Sequence, residues 1–404
     1  MDIPATSTAL LARCVDAIDT DRLTETLVRL IELPSVNPFG EPPTSPVHGE
    51  GRVAAYMADR LEGLGWATNV IEYEPGRFNV VCESPGSGTS ENDSIMFAGH
   101  MDTVQVDGYE DAFRGRVAAG RIHGRGAVDM KAALACYIEV AEALAATHTV
   151  LPGKLYVAGV GDEEFRQEGA KSLGRSGLRV GGIVIGEPTE LRICKATKGL
   201  AAYDLSVTGL ATHSSVPDHG ENAILQMAQL LGGFSSYTES LRAIEHPLLG
   251  SPTVNVGTIA GGLKSNIVPS ECVTQLSRRL LPGEDAESVR ATLVNALSLH
   301  ANPSTSWRLG DAWWTVDPYE LAESSKLSSA IDLAAASDDI DDLTPTGFPA
   351  SSDAAYFGSP AVLFGPGSLA QAHSLDEWVS IDEMVRATRV YIGTALRMTG
   401  AGEQ

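Results

Sequence analysis

Phe97-Ala98-Gly99-His100-Met101-Asp102-Thr103-Val104 is the stretch on which the reading of this chain turns. Ser94 to Ala98 is a short apolar run that predicts a strand. Gly99 then frees the backbone to turn, so His100 and Asp102 fall just past the strand's carboxyl end. In open α/β sheets that edge is where ligands bind. A neutral imidazole is a good zinc ligand, and a carboxylate two residues away can accept its second N–H, fixing tautomer and ring orientation. Taken alone, such a pair is an ordinary polar turn, and the rest of the chain has to supply the case.

Downstream, carboxylates again terminate apolar strands. A strand over 154–160 runs into Gly161-Asp162-Glu163-Glu164, and one over 182–185 into Gly186-Glu187-Pro188-Thr189. Between them, Gly124-Arg125-Gly126-Ala127-Val128-Asp129-Met130-Lys131 leads into an alanine-rich helix predicted over 132–146. Asp129 lies at or just before that helix, where a plain N-cap is the alternative reading. Upstream, helices are predicted over 21–33 and 51–63, separated by a Pro- and Gly-rich loop at 35–48. A strand at 67–71 follows, then a hairpin pairing 79–82 with 94–98 around the Gly/Ser-rich turn 85–92.

From about Leu200 the pattern changes. Strands at 201–207, 253–259 and 271–280, helices at 221–241 and 286–297, and a short strand near Trp307 give a β-α-β-β-α-β order, that of an inserted ferredoxin-like domain. Afterwards a helix at 324–336, a strand at 361–364 and a closing helix at 381–398 resume the α/β pattern. The expected fold class is α/β: a mixed-sheet catalytic domain formed by 1–199 and 311–404, interrupted by an α+β domain at 200–310.

The 404 residues, 43% of them hydrophobic, suffice for two moderate cores. Lys+Arg 29 against Asp+Glu 52 leaves a net charge of −23 scattered along the chain, which argues against nucleic-acid or anionic-membrane partners. Cys14, Cys82, Cys136, Cys194 and Cys272 are odd in number and widely spaced, so neither a disulfide framework nor a thiolate zinc site is indicated, and a reducing cytoplasm fits. The N-terminus lacks a basic, then apolar, signal-peptide pattern, and no apolar run is long enough to span a membrane.

Together His100, Asp129, Glu163, Glu164, Glu187 and the late His373 offer mixed imidazole and carboxylate donors suited to zinc or another first-row divalent ion. Crowded carboxylates cannot all stay ionised without cations. Three ligating carboxylates and a hydroxide carry four negative charges, which two divalent cations balance.

In these motifs the chain resembles the zinc-dependent M20 family of metallopeptidases and deacylases, which includes acetylornithine deacetylase, succinyl-diaminopimelate desuccinylase and glutamate carboxypeptidase. The matching signatures are Gly99 to Val104, His123 through Lys131, Asp162-Glu163-Glu164, Gly186 to Thr189, and Ala372-His373-Ser374 before Asp376-Glu377. The resemblance implies a zinc-peptidase-like catalytic domain in which Asp129 bridges two Zn2+ ions, with Co2+ or Mn2+ as substitutes. His100 and Glu187 would complete one metal's protein ligands, and Glu164 and His373 the other's. Glu163 would be the general base and Asp102 the partner of His100.

In the inserted domain, Gly209 to Ser215 and Gly220 to Ile224 resemble the family's lid signature. This implies a homodimer through that domain, with His213 reaching the partner's active site to stabilise the oxyanion. Asn266 and Arg279 match lid positions that contact substrate carboxylates, a task for which the planar guanidinium is suited. Ordinary surface pairing is the other reading of Arg279. The implied activity is hydrolysis of an N-acyl amino acid, with a dipeptide or carboxypeptidase substrate as the alternative and a non-catalytic binding relative as a third reading.

Three departures bear on the substrate: Ser277 stands where the family often has Asp, Lys131-Ala132 replaces Lys-Gly, and Thr197-Lys198-Gly199 replaces the His-Lys-Gly of acetylornithine deacetylases. His48, His123, His148, His219, His246 and His300 are read as surface or packing residues.

Overall fold

The computed structural model describes residues 8–86, 88, 90–338, 340 and 342–401. The chain divides into two compact units, Met1–Lys195 with Leu321–Thr346 and Asp353–Gln404, and Ala196–Glu320 with Gly347–Ser352.

The first unit is built on a mixed sheet. Its strands β1 (Ala67–Glu74), β2 (Arg77–Glu83), β3 (Ser94–His100), β4 (Lys154–Val160) and β5 (Ile183–Ile185) lie in the order β1-β2-β4-β3-β5. β1 and β2 form an antiparallel hairpin and β2 runs antiparallel to β4, whereas β3 is parallel to both β4 and β5. The expected hairpin of 79–82 with 94–98 does not form, because β4 lies between them. Every residue of β3 is buried, the mark of a parallel strand covered on both faces. A turn signal between two apolar runs carries no information about a later strand that inserts between them.

Under this sheet lies helix Ala132–Ala146, buried along nearly its whole length. Alanine at seven of its fifteen positions permits that close packing. Helices Thr20–Ile31 and Ile381–Met398 flank it. The rings of Phe97, Tyr137 and Tyr391 meet at centroid distances of 5.0 to 5.3 Å beneath the middle of β3.

The second unit has β6 (Gly199–Thr208), helices Ala223–Leu231 and Gly233–Leu241, β7 (Thr253–Gly261), β8 (Glu271–Leu280), helix Ala286–Ser298 and β9 (Ser306–Leu309). The sheet order β7-β8-β6-β9, antiparallel throughout, is the ferredoxin-like arrangement. Alternate residues of β8 (Cys272, Thr274, Leu276, Arg278, Leu280) are buried, the period-two pattern of a sheet with one covered face. Tyr203, Leu205, Met227, Leu276 and Leu293 form part of the core.

Two details differ from the sequence reading. The helix expected over 221–241 is two helices that meet at Gly232 and Gly233, residues that weaken a helix interior. The second unit spans Ala196–Glu320 where 200–310 was expected, and it includes β10 (Trp314–Val316), which pairs onto β6 with Trp314 opposite Ala202.

Back in the first unit, β11 (Ala361–Leu363) adds parallel to β5, and Ile381–Met398 closes the chain's regular structure. Among the described residues no helix is long and apolar enough to cross a membrane.

Candidate active site

Because β3, β4 and β5 are parallel and in register, their carboxyl ends leave the sheet at one edge. His100 is the last residue of β3, opposite Val160, and Ala98 is opposite Ile185. The segments Gly161–Glu164 and Gly186–Glu187 therefore begin beside His100. Asp129 arrives from the other direction, in the turn Ala127–Lys131 that precedes helix Ala132–Ala146. Gly186 lets that helix approach: a Cβ there would stand 2.2 Å from Ala133 Cβ and 2.5 Å from the Tyr137 hydroxyl.

Ligand atoms of His100, Asp129 and Glu164 all lie within 4.8 Å of one another, a group that could hold a metal ion. His100 Nε2 is 2.9 Å from Asp129 Oδ1. His373 Nε2 is 3.3 Å from Asp129 Oδ2 and 3.3 Å from Glu164 Oε2. The two oxygens of Asp129 thus face two different imidazoles. Buried oxygens of Glu164, Glu187 and Asp353 have no hydrogen-bond partner among the described residues. Carboxylate oxygens left bare beside imidazoles are poor as a hydrogen-bonded core and well suited to divalent cations.

Asp102 is placed differently from the sequence reading. The His100 Nδ1 meets the backbone carbonyl of Asp102 at 2.8 Å, with the Asp102 carboxylate at 3.8 Å. In the neutral ring that a metal requires, donation from Nδ1 to that carbonyl would leave Nε2 as the lone-pair nitrogen. The carboxylate instead accepts the amides of the two following acids, Glu163 N to Oδ1 and Glu164 N to Oδ2, both at 3.2 Å.

The electrostatics follow from crowding. Desolvation pushes the Glu163 carboxyl well above its ordinary value; the charges of Glu187, Asp353 and Glu164 act the same way, against His100. Burial likewise raises Glu187, with the charges of Asp129, Asp353 and Glu164 acting the same way against His100. Burial also raises Asp353, to about 8. For Asp129 burial opposes ionisation, yet the hydrogen bonds from His100 and His373 prevail and lower its pKa. The hydrogen bonds that His373 donates to Asp129 and Glu164 raise its own pKa to about 10.

Several residues that anchor this arrangement were given no role in the sequence reading. Glu377 is buried and accepts Val128 N (2.9 Å), Asp129 N (3.2 Å), Gly126 N (3.1 Å) and Arg125 Nη1 (2.7 Å). Lys131, fully buried, donates to Leu30 O at 2.9 Å and Leu33 O at 2.8 Å, capping the end of helix Thr20–Ile31; burial lowers its pKa to about 7. Asn37 donates to Asp102 Oδ2 at 2.8 Å. Glu377 stands four residues after His373, which is a local signal; Asn37 and Asp353 are signalled by nothing local. His123, read as a surface or packing residue, has Nδ1 3.0 Å from Asp376 Oδ1.

His213, Asn266 and Arg279 all belong to the second unit. His213 is exposed, with Nδ1 2.7 Å from Ser215 Oγ. Asn266 is exposed and its carbonyl accepts Ser214 N at 3.1 Å. Arg279 is partly buried, with Nη1 3.5 Å from Ser351 Oγ.

Comparison with known proteins places the chain in a family. The model of peptidase family M20/M25/M40 matches residues 96–397. Relatives include the acetylornithine deacetylase of Myxococcus xanthus, 30% identical over 349 residues, covering 83% of this chain and 89% of the relative. That of Vibrio atlanticus is 29% identical over 343 residues, with 83% and 88% covered. Among solved structures, the aminopeptidase PepT of Bacillus cereus superposes with a TM-score of 0.74 at 20% identity over 95% of this chain and 99% of its own. Human carnosine dipeptidase 1 gives 0.71 at 18% identity over 96% and 100%. The chain belongs to peptidase family M20/M25/M40 and is a hydrolase of amide bonds.

Proposed function

We propose that this protein is a dizinc amidohydrolase that cleaves an N-acyl amino acid into a carboxylate and a free amine. The observation that carries the reading is the pair of histidines on opposite oxygens of Asp129, with Glu164 beside the second of them. Asp129 would bridge two ions, one held also by His100 and Glu187, the other by Glu164 and His373. When bound, the cations supply Lewis acidity that polarises the amide carbonyl and acidifies the attacking water.

The chain's own residues do the remainder. Glu163, adjacent to a ligand and hydrogen-bonded through its main chain to Asp102, takes the water's proton and returns it to the leaving nitrogen. Asp102 holds Glu163 and Glu164 by their amides, so base and ligand are positioned by one carboxylate. His213, whose exposed ring is tied through Nδ1, offers Nε2 to the developing oxyanion in a second copy of the chain. Arg279 and Asn266 contact the substrate carboxylate.

Supporting a homodimer, β7 is a sheet edge exposed along most of its length, and Val256, Ile259 and Leu263 stand exposed on or beside it. The five free, buried cysteines suit a reducing cytoplasm. Relatives near 30% identity are named acetylornithine deacetylases, which favours an acyl amino acid over a peptide. The test is a screen of the zinc-loaded protein against acetyl, succinyl and longer acyl amino acids alongside dipeptides. Turnover of acyl amino acids well above dipeptides is expected; the reverse order overturns the substrate assignment, and full activity without metal overturns the mechanism.

A further inference from the structure

The Pro- and Gly-rich loop that follows helix Thr20–Ile31 is stitched to the loop carrying Asp102. Ser35 Oγ donates to Met101 O at 2.6 Å, Thr103 N to Ser35 O at 3.0 Å, and Asn37 N to Thr103 O at 2.8 Å. Asn37 is fully buried there. Its Oδ1 accepts Phe39 N at 2.7 Å, so the amide orientation is set and Nδ2 must face the other way. On that side stand two carboxylates. Nδ2 is 2.8 Å from Asp102 Oδ2 and 3.1 Å from Asp162 Oδ1.

Both acceptors belong to the Glu163 and Glu164 segment. Asp102 accepts the two amides of that pair, and Asp162 directly precedes it in the left-handed region at φ 69°. A non-glycine residue keeps such a conformation only where its surroundings impose it. Asp162 is restrained by Arg77, whose Nη1 and Nη2 lie 3.3 and 3.2 Å from its Oδ1, and by Gln167 N donating to its carbonyl at 2.7 Å. Arg77 in turn pairs with the buried Glu50 through Nε and Nη2. Of the side-chain donors, one guanidinium and one amide therefore serve three buried carboxylates, Glu50, Asp102 and Asp162, with main-chain amides adding to the last two. The guanidinium reaches Glu50 and Asp162; the Asn37 amide spans Asp102 and Asp162.

We propose that Asn37 is a positioning residue: its amide aims the Asp102 carboxylate, and through it the Glu163-Glu164 main chain, at the reacting centre. Without that donor, Asp102 faces the carboxylate of Asp162 across an unbridged gap, and its grip on the two amides loosens. This rests on the reading that Glu163 is the base, so the test separates the two.

Asn37→Ala removes both donations. Asn37→Asp keeps size and the acceptor for Phe39 N and, when ionised, cannot donate and adds a like charge, so assayed at alkaline pH it covers the case in which the alanine variant fails to fold. Misplacement of a reacting group by about 1 Å costs on the order of 10²-fold, and kcat of the zinc-loaded, full-length variants is expected to fall by that order with KM within about threefold, since substrate contacts are untouched. Independently of activity, amide hydrogen exchange should quicken in the 162–168 segment and stay unchanged in β1 and β2. Unaltered exchange at 162–168, or wild-type kcat in either folded variant, overturns the proposal. Quickened exchange together with a fully active Glu163→Gln enzyme upholds the positioning and removes the base assignment instead.

Discussion

Glu377 holds Asp129 by the main chain. Its Oε1 accepts both Asp129 N and Val128 N, at 3.2 and 2.9 Å, across 248 and 249 residues of chain. Its other oxygen takes Gly126 N and Arg125. The turn that presents the Asp129 carboxylate is therefore supported from beneath by a buried acid. Glu377→Gln replaces one acceptor oxygen by a donor that faces N–H groups. Loss of such a support typically lowers metal affinity about 10–100-fold, which competition against a chelator would read. Zinc retention equal to wild type would show that the turn holds its shape unaided.

Metal binding should release protons. Burial raises Glu163 and Glu187 well above the ordinary carboxylate value, and hydrogen bonds to Asp129 and Glu164 hold His373 up at about 10 in the cation-free site. His373 therefore carries a proton at neutral pH that a cation must displace, and the raised carboxyl of Glu187, the other affected ligand, shifts the balance the same way. Zinc affinity is therefore expected to strengthen as pH rises and to weaken as it falls. Calorimetry of zinc binding in two buffers of different protonation enthalpy gives the count; a value of zero or of the opposite sign refutes it.

Glu163→Gln keeps the shape of the side chain and the Asp102 hydrogen bond to its amide, and removes the base. Turnover should drop by about 10²–10⁴-fold with zinc content unchanged by elemental analysis. A variant within about threefold of wild type would mean that another group takes the proton.

His213→Ala should lower kcat while leaving zinc content unaltered, as for a contact made in the transition state. Mixing His213→Ala chains with Glu163→Gln chains rebuilds one complete site per heterodimer, where an intact Glu163 meets an intact His213. Activity above both parents, after verified subunit exchange, is the expected result. Its absence would mean that His213 does not act across the dimer.

Much of the candidate site is legible because the sequence concentrates its chemistry where strands end. An apolar run followed by glycine and a carboxylate occurs at Glu163-Glu164 and at Glu187, and the same grammar at His100 carries an imidazole. Parallel strands in register deliver all three to one edge, so local patterns report on a shared place. Asp102 is the instructive case. The His-x-Asp spacing suggests a side-chain pair, whereas the backbone carbonyl comes closer to the ring and the carboxylate turns to Glu163 and Glu164. Spacing limits which groups can meet but does not choose among acceptors on one residue.

The order of elements, the change of pattern near Leu200, the strand-end acids and the family were determined by the sequence itself, since each is a matter of local periodicity or of motifs read in order. Strand neighbours were decided only by the tertiary structure: β4 between β2 and β3, and β10 extending the second unit's sheet. So were the supports of the site, Asn37 from the first loop and Glu377 from near the end of the chain. A buried carboxylate or amide finds its partner by proximity in space. Proximity across hundreds of residues is set by which surfaces the sheet and helices bury together, a property that no stretch of sequence carries alone.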